Sequence, residues 1–175
     1  MNRKIVVIVD MQHDFIDGAL GTPEARAMMP RFIQQIKDDP KDTAYIFTRD
    51  THNEDYLSTM EGRNLPILHC VKGTWNWDIR SDFYDIFVNK PFIVDKSTFG
   101  SIELMETIKD FIDEDTEIEF RGVCTDICVV SNAILAKTWF PENLIAVNSN
   151  LCAGSTPEKH EAALEVMKSC QIEIM

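Results

Sequence analysis

Phe120-Arg-Gly-Val-Cys-Thr-Asp-Ile-Cys-Val-Val-Ser-Asn132 joins two apolar runs of different character. The run that ends here, Thr116–Val123, is short and built on Ile, Phe and Val, as a buried strand is. The run that begins here, Ile127–Trp139, carries apolar residues at helical spacing. The same alternation recurs outward in both directions. Predicted strands at Lys4–Val9, Ala44–Thr48, Phe92–Val94, Thr116–Val123, Leu144–Asn148 and Gln171–Ile174 alternate with predicted helices at Pro23–Lys37, Trp77–Phe87, Ser101–Ile112, Ile127–Trp139 and Pro157–Ser169. Such a pattern predicts an α/β fold: a three-layer α/β/α sandwich on a mostly parallel, doubly wound sheet of about six strands.

The chain has 175 residues and a formal charge of -12. This length suits one domain, residues 1–175, whose core needs no staples. The acidic balance argues against nucleic acid or an anionic membrane surface, because both require clustered cations. A small molecule or another protein remains as partner, and exposed apolar residues on a small domain are compatible with a homo-oligomer. Ile5–Val9 is too short for a signal-peptide core, and no other run is long enough to span a bilayer. Cys70, Cys124, Cys128, Cys152 and Cys170 are odd in number and contain no CxxC pair, so a reducing cytoplasm is expected in place of a disulfide framework.

In doubly wound sheets, ligands bind outside the carboxyl ends of the strands. Asp10, Asp50, Lys96 and Cys128 all fall at or just after strand ends. Thr125 or Asp126 can cap the following helix, leaving Cys128 in its first turn, where the dipole favours a thiolate. A thiol attacking a carboxamide needs a group that takes its proton and returns it to ammonia. Asp10 can do both, with Lys96 as a neighbouring ammonium and backbone amides near Cys124 and Cys128 as oxyanion donors. A second set, Asp50-Thr-His52 with Glu61 and His69, suits a divalent transition metal: zinc first, with iron or manganese as alternatives. It lies in Asp50–Trp77, a long polar stretch of the kind that is often functional. Phe15, Trp75, Trp77 and Phe99 could wall a flat ring substrate, or simply fill the core. His13 and His160 read as ordinary surface or helix residues, and Asp110, Asp113, Glu114 and Asp115 as a solvated helix end.

Together these residues form a family pattern. Val9-Asp10-Met-Gln12-His-Asp14-Phe15, Thr48-Arg-Asp50-Thr-His52, Tyr56-Leu-Ser-Thr-Met-Glu61-Gly, Leu65-Pro-Ile-Leu-His69-Cys, Asp95-Lys96-Ser-Thr-Phe99 and Gly122-Val-Cys-Thr-Asp126-Ile-Cys128-Val resemble the isochorismatase-like cysteine hydrolases, most of all the nicotinamidases (pyrazinamidases). The resemblance covers nearly the whole chain. It implies the isochorismatase-like hydrolase fold, with Asp10, Lys96 and Cys128 catalytic. It also implies a cis peptide before Cys124, the amides of Cys124 and Cys128 as oxyanion hole, and a metal on Asp50, His52, Glu61 and His69. Phe15, Trp77 and Phe99 are the expected substrate-binding aromatics, with Trp75 the alternative to Trp77. The implied reaction is hydrolysis of an aromatic carboxamide, nicotinamide, to nicotinate and ammonia.

This chain departs from the family pattern in four places. His13 replaces the usual Asn, Ser58 stands where some members place a metal-binding His, the Trp common before the His-Cys pair is absent, and the segment after Lys96 is shorter than usual. The nearest competing reading keeps the cysteine chemistry for another amide, ureido or carbamoyl substrate. A receiver-type signalling module would use Asp10, Asp50 and Lys96 but leaves His52, Glu61, His69 and Cys128 unexplained. A non-haem iron site on Asp50, His52 and His69 is a further reading.

Overall fold

Six runs rich in β-branched and aromatic residues pair along one sheet in a computed structural model that describes residues 3–87 and 91–175. In chain order the elements are β1 (Lys4–Val9), α1 (His13–Ile16), α2 (Pro23–Asp38), β2 (Ala44–Asp50), α3 (Met60–Asn64), α4 (Ser81–Tyr84), β3 (Phe92–Lys96), α5 (Ile102–Lys109), β4 (Glu117–Val123), α6 (Val130–Trp139), β5 (Ile145–Ala153), α7 (Pro157–Ser169) and β6 (Glu173–Ile174). One turn of π-helix, Thr125–Val129, joins β4 to α6. The strand order is β3-β2-β1-β4-β5-β6, and every pairing is parallel.

Because a strand's side chains alternate between faces, β1 feeds two cores. Ile5, Val7 and Val9 pack with Leu104 and Ile108 of α5, Ala133 of α6 and Met167 of α7. Val6 and Ile8 pack on the opposite face with Met28 and Phe32 of α2 and Phe83 of α4. The central strands are thus covered on both sides, which is why their sequences read as near-continuous apolar runs. Helix starts follow local chemistry. Thr22 accepts from the Ala25 amide ahead of Pro23, and Thr156 accepts from Lys159 ahead of Pro157.

The direction of sheet growth reverses between β1 and β4, and there their carboxyl ends part to leave a crevice. Close packing at that point depends on Gly122, whose φ is +133°. A Cβ built there would sit 2.1 Å from the carbonyl oxygen of Val9.

Two expectations are corrected. The helix expected at Trp77–Phe87 shrinks to Ser81–Tyr84, because the backbone before it bonds sideways to the loop after β1. His13 N donates to Asp78 O, Asp14 N to Asn76 O and Arg80 N to Met11 O, and Gln12 bridges Ile79. In addition, β5 runs beyond Asn148 to Ala153, accommodated by a register shift against β4 between Phe120 and Gly122. No helix among the described residues is long and apolar enough to cross a membrane.

Candidate active site

Asp10, Lys96 and Cys128, which lie far apart in the chain, meet at the crevice. Lys96 Nζ lies 2.7 Å from Asp10 Oδ2, 3.4 Å from Cys128 Sγ and 3.4 Å from Asp50 Oδ1. All four residues are buried, Asp10 completely. Thr48 Oγ1 donates to the other oxygen of Asp10 at 2.6 Å. Asp10 itself has a φ of +50°, a left-handed conformation that turns the chain sharply off β1 and brings its carboxylate over the crevice.

Burial pushes the Asp10 carboxyl above its ordinary range, and Lys96 offsets this only in part. Burial also opposes the Lys96 ammonium, but Asp10, then Cys128 and Asp50, raise it well above the usual lysine value. The Cys128 thiol is pushed up by burial and then by Asp10, against a smaller opposing pull from Lys96. These influences oppose the thiolate expected from the position of Cys128 in the turn, and the Asp10 carboxyl shares the Lys96 ammonium with the thiol.

The expected cap is also corrected. Neither Thr125 nor Asp126 caps the turn; the Cys124 carbonyl accepts from Ile127 and Val129 instead. Thr125 Oγ1 pairs with His160 Nδ1 at 2.8 Å, so His160, a helix residue of α7 as expected, is tied to this turn. Asp126 accepts from Ser155 N and Oγ at 2.7 and 2.6 Å. Buried Asn132 donates to the carbonyls of Cys128 and Phe99 and accepts from Ser101 N, tying the Cys128 turn to the loop after Lys96. The Val123–Cys124 peptide is cis.

Asp50, His52 and His69 form a buried cluster with candidate ligand atoms all within 4.8 Å of one another. Asp50 Oδ2 lies 3.0 Å from His52 Nε2 and 3.6 Å from His69 Nε2. Glu61 joins at the margin, with Oε1 3.6 Å from His52 Nε2. His69 Nδ1 lies 2.7 Å from the carbonyl of Ile67, an acceptor only, so Nδ1 donates there and Nε2 is turned toward Asp50. His52 Nε2 is buried and out of alignment for a hydrogen bond despite its nearness to Asp50. A divalent cation would satisfy that nitrogen, and one carboxylate or two with two imidazoles is a suitable donor set. Burial opposes ionisation of Asp50, yet the two imidazoles and Lys96 hold its carboxyl far below the usual range.

A cavity of about 330 Å³ opens above both groups. Cys128, Asp50, His69 and Glu61 line it, with Phe15 and Phe99 as aromatic walls and Cys124 beside the thiol. The expected role of Trp77 is corrected. Trp77 is absent from the lining, its indole N–H donates to Thr51 Oγ1 and the Arg49 guanidinium stacks on its ring at 3.4 Å. Trp75, 66% exposed, stacks on His13 with centroids 3.7 Å apart, which buries that imidazole to 6% exposure. His13 is thus not a surface residue, and burial lowers its pKa.

Sequence reasoning missed Thr48, Gln12, Asp14, Asn132 and the Asp126–Ser155 contact. Thr48 was findable, since strand alternation puts it on the same side as Asp50. Asn132 sits one helical turn after Cys128, a second available signal.

A doubly wound sheet with a thiol, a carboxylate and an ammonium at its switch point defines a class of hydrolase-like site. The chain belongs to the isochorismatase family, whose domain model matches residues 4–175. Among its relatives, the nicotinamidase of Schizosaccharomyces pombe is 24% identical over 206 residues, covering 97% of this chain and 91% of that one. The zinc complex of Pyrococcus horikoshii pyrazinamidase superposes with a TM-score of 0.76 at 26% identity, covering 99% and 98% of the two chains. The Streptococcus mutans pyrazinamidase/nicotinamidase superposes with a TM-score of 0.81 at 25% identity, covering 98% and 99%.

Proposed function

We propose that this chain is a metal-containing nicotinamidase, which hydrolyses nicotinamide to nicotinate and ammonia through a thioester on Cys128. The observation that carries the proposal is the sharing of one cavity. The thiol and the Asp50, Glu61 and His69 side chains line the same 330 Å³ space, between Phe15 and Phe99, with Lys96 beneath it. Similarity to nicotinamidases and pyrazinamidases over nearly the full chain supports the same reading.

In this reaction Cys128 Sγ bonds to the carboxamide carbon as Asp10 takes the thiol proton. Burial makes Asp10 a stronger base than an exposed aspartate, and Lys96 keeps it from being protonated outright. The amides of Cys124 and Cys128 hold the oxyanion. Asp10 then delivers the proton to the nitrogen as the C–N bond breaks, releasing ammonia and leaving the thioester. Asp10 next takes a proton from water as its oxygen bonds to the same carbon. The C–S bond breaks, the sulfur regains a proton and nicotinate departs. When bound by Asp50, His52, Glu61 and His69, a divalent metal, zinc by its donor set, supplies a Lewis acid for the pyridine nitrogen and so orients the ring. Phe15 and Phe99 sandwich that ring and keep bulk water off the thioester.

Ammonia release from nicotinamide, benzamide and a ureido compound, measured with metal-loaded enzyme, tests the proposal. Nicotinamide is expected to exceed benzamide in kcat/KM, because benzamide lacks the ring nitrogen. A preference for the ureido compound would favour the alternative, a family hydrolase acting on another small amide, ureido or carbamoyl substrate. The cysteines are all unpaired, which suits a reducing compartment such as the cytoplasm.

A further inference from the structure

Gln12 is completely buried, yet it touches neither the thiol nor the cavity. Its side-chain amide uses both kinds of hydrogen-bonding group on the backbone. Oε1 accepts from Asp50 N at 2.7 Å, while Nε2 donates to Asp50 O at 2.8 Å and to Trp77 O at 2.7 Å. The regular β1–β2 ladder ends at Ile8 and Phe47, and Asp10 then turns the main chain away. The Gln12 carboxamide continues the ladder where the strand no longer can, standing in for a backbone peptide opposite Asp50.

Asp14, two residues on, does the same for the other side of the cluster. Its Oδ2 accepts from Cys70 N at 2.7 Å and its Oδ1 from Ala19 N at 3.3 Å. Cys70 directly follows His69 and holds a φ of +46°, which reverses the chain there. Its carbonyl accepts from His52 N, and Lys72 N donates back to His52 O. The backbones of Asp50, His52 and His69 are thereby all tied to one loop, the loop that also presents Asp10.

Resting on the reading of Asp50, His52 and His69 as metal ligands, we infer that Gln12 and Asp14 are positioning residues for the metal centre. They set the aim of its ligands and lock its place relative to Asp10. Neither side chain is free to bind metal, since each is consumed by backbone partners. Outer partners that orient ligands typically change metal affinity 10–100-fold when lost.

Cobalt(II) titration of apo-protein, read by its d–d absorption and by competition with a chelator, tests this. Gln12→Met keeps the side chain's length but loses all three bonds. It is expected to weaken cobalt binding at least about 10-fold and to alter the d–d bands. Asp14→Ala is expected to do likewise. Asp14→Asn, whose remaining oxygen can still accept from Cys70, is expected to restore most of the affinity. Cooperative urea unfolding of each apo-variant shows that it is folded; should Gln12→Met fail to fold, the Asp14→Ala and Asp14→Asn pair decides. Wild-type affinity and spectrum in Gln12→Met or Asp14→Ala would overturn the inference, as would Asp14→Asn behaving like Asp14→Ala. Absence of cobalt binding by the wild-type protein would instead overturn the metal site itself, and the inference with it.

Discussion

Replacing Lys96 with methionine removes the cation that lies between two carboxylates and a thiol while keeping the bulk of the side chain. At an effective dielectric constant of about 20, the 2.7 Å contact with Asp10 has a gross attraction of about 6 kcal/mol. Part of this is offset in the wild-type protein by burying the ammonium. Removing one partner of such a pair costs about 3–5 kcal/mol net, because the other charge is left buried alone. Asp10 then escapes by binding a proton. Its pKa is already raised by burial, and loss of Lys96 removes the main opposing influence. A group whose folded pKa exceeds its unfolded value contributes stability below the unfolded value, about 4 for aspartate, and loses it as pH rises. The stability deficit of Lys96→Met relative to wild type is therefore expected to be smallest near about pH 4 and to widen toward about pH 8. Urea unfolding across that range measures it. Activity should follow the same titration. At neutral pH a protonated Asp10 cannot accept the thiol proton, so kcat/KM is expected to fall at least about 100-fold, with the acid limb of the profile moved to higher pH. A variant with the wild-type pH–rate profile and a pH-independent stability deficit would refute the coupling of Lys96 to Asp10.

Four further outcomes follow from particular contacts. Cys128→Ala is expected to abolish amide hydrolysis, whereas Cys124→Ala should retain it within about 10-fold, since only the Cys124 amide is used; ammonia release by each variant decides this. Gly122→Ala should destabilise the fold by about 3 kcal/mol or more, because its Cβ would lie 2.1 Å from Val9 O, and a urea midpoint close to wild type would contradict that. Asp126→Ala frees Ser155, a cavity-lining residue, from bonds of 2.7 and 2.6 Å. The expected cost is about 1–2 kcal/mol of stability and a KM that rises more than kcat falls, read from unfolding and steady-state kinetics. Stripping the metal with a chelator should raise KM for nicotinamide about 10-fold or more while leaving iodoacetamide alkylation of Cys128 unchanged.

Much of this site was legible because its residues sit where short β-branched runs stop. In a parallel sheet covered on both faces, that boundary marks the strand ends, so Asp10, Asp50, Lys96 and Cys128 could be assigned to one edge of the sheet before their contacts were known. What sequence could not show was set by contacts between distant segments. Trp77–Phe87 has helical spacing, but His13, Gln12 and Met11 capture its backbone, and no periodicity reports a sideways partner. The burial of His13 depends on Trp75 stacking over it, and the withdrawal of Trp77 from the cavity depends on Arg49 and Thr51. The influences opposing a thiolate were hidden for a related reason. Helix position and a nearby lysine both favour a thiolate, whereas burial of Cys128 and the Asp10 carboxyl across Lys96 oppose it, and both arise from distant segments.

The central claim is that Cys128 carries the acyl group of nicotinamide. Rapid acid quench of metal-loaded enzyme during turnover, followed by peptide-mapped mass spectrometry, tests it directly. A nicotinoyl thioester is expected on the peptide containing Cys128, absent from Cys128→Ala and diminished in Asp10→Asn. Steady nicotinate release without any adduct on Cys128, or undiminished release by Cys128→Ala, would contradict it.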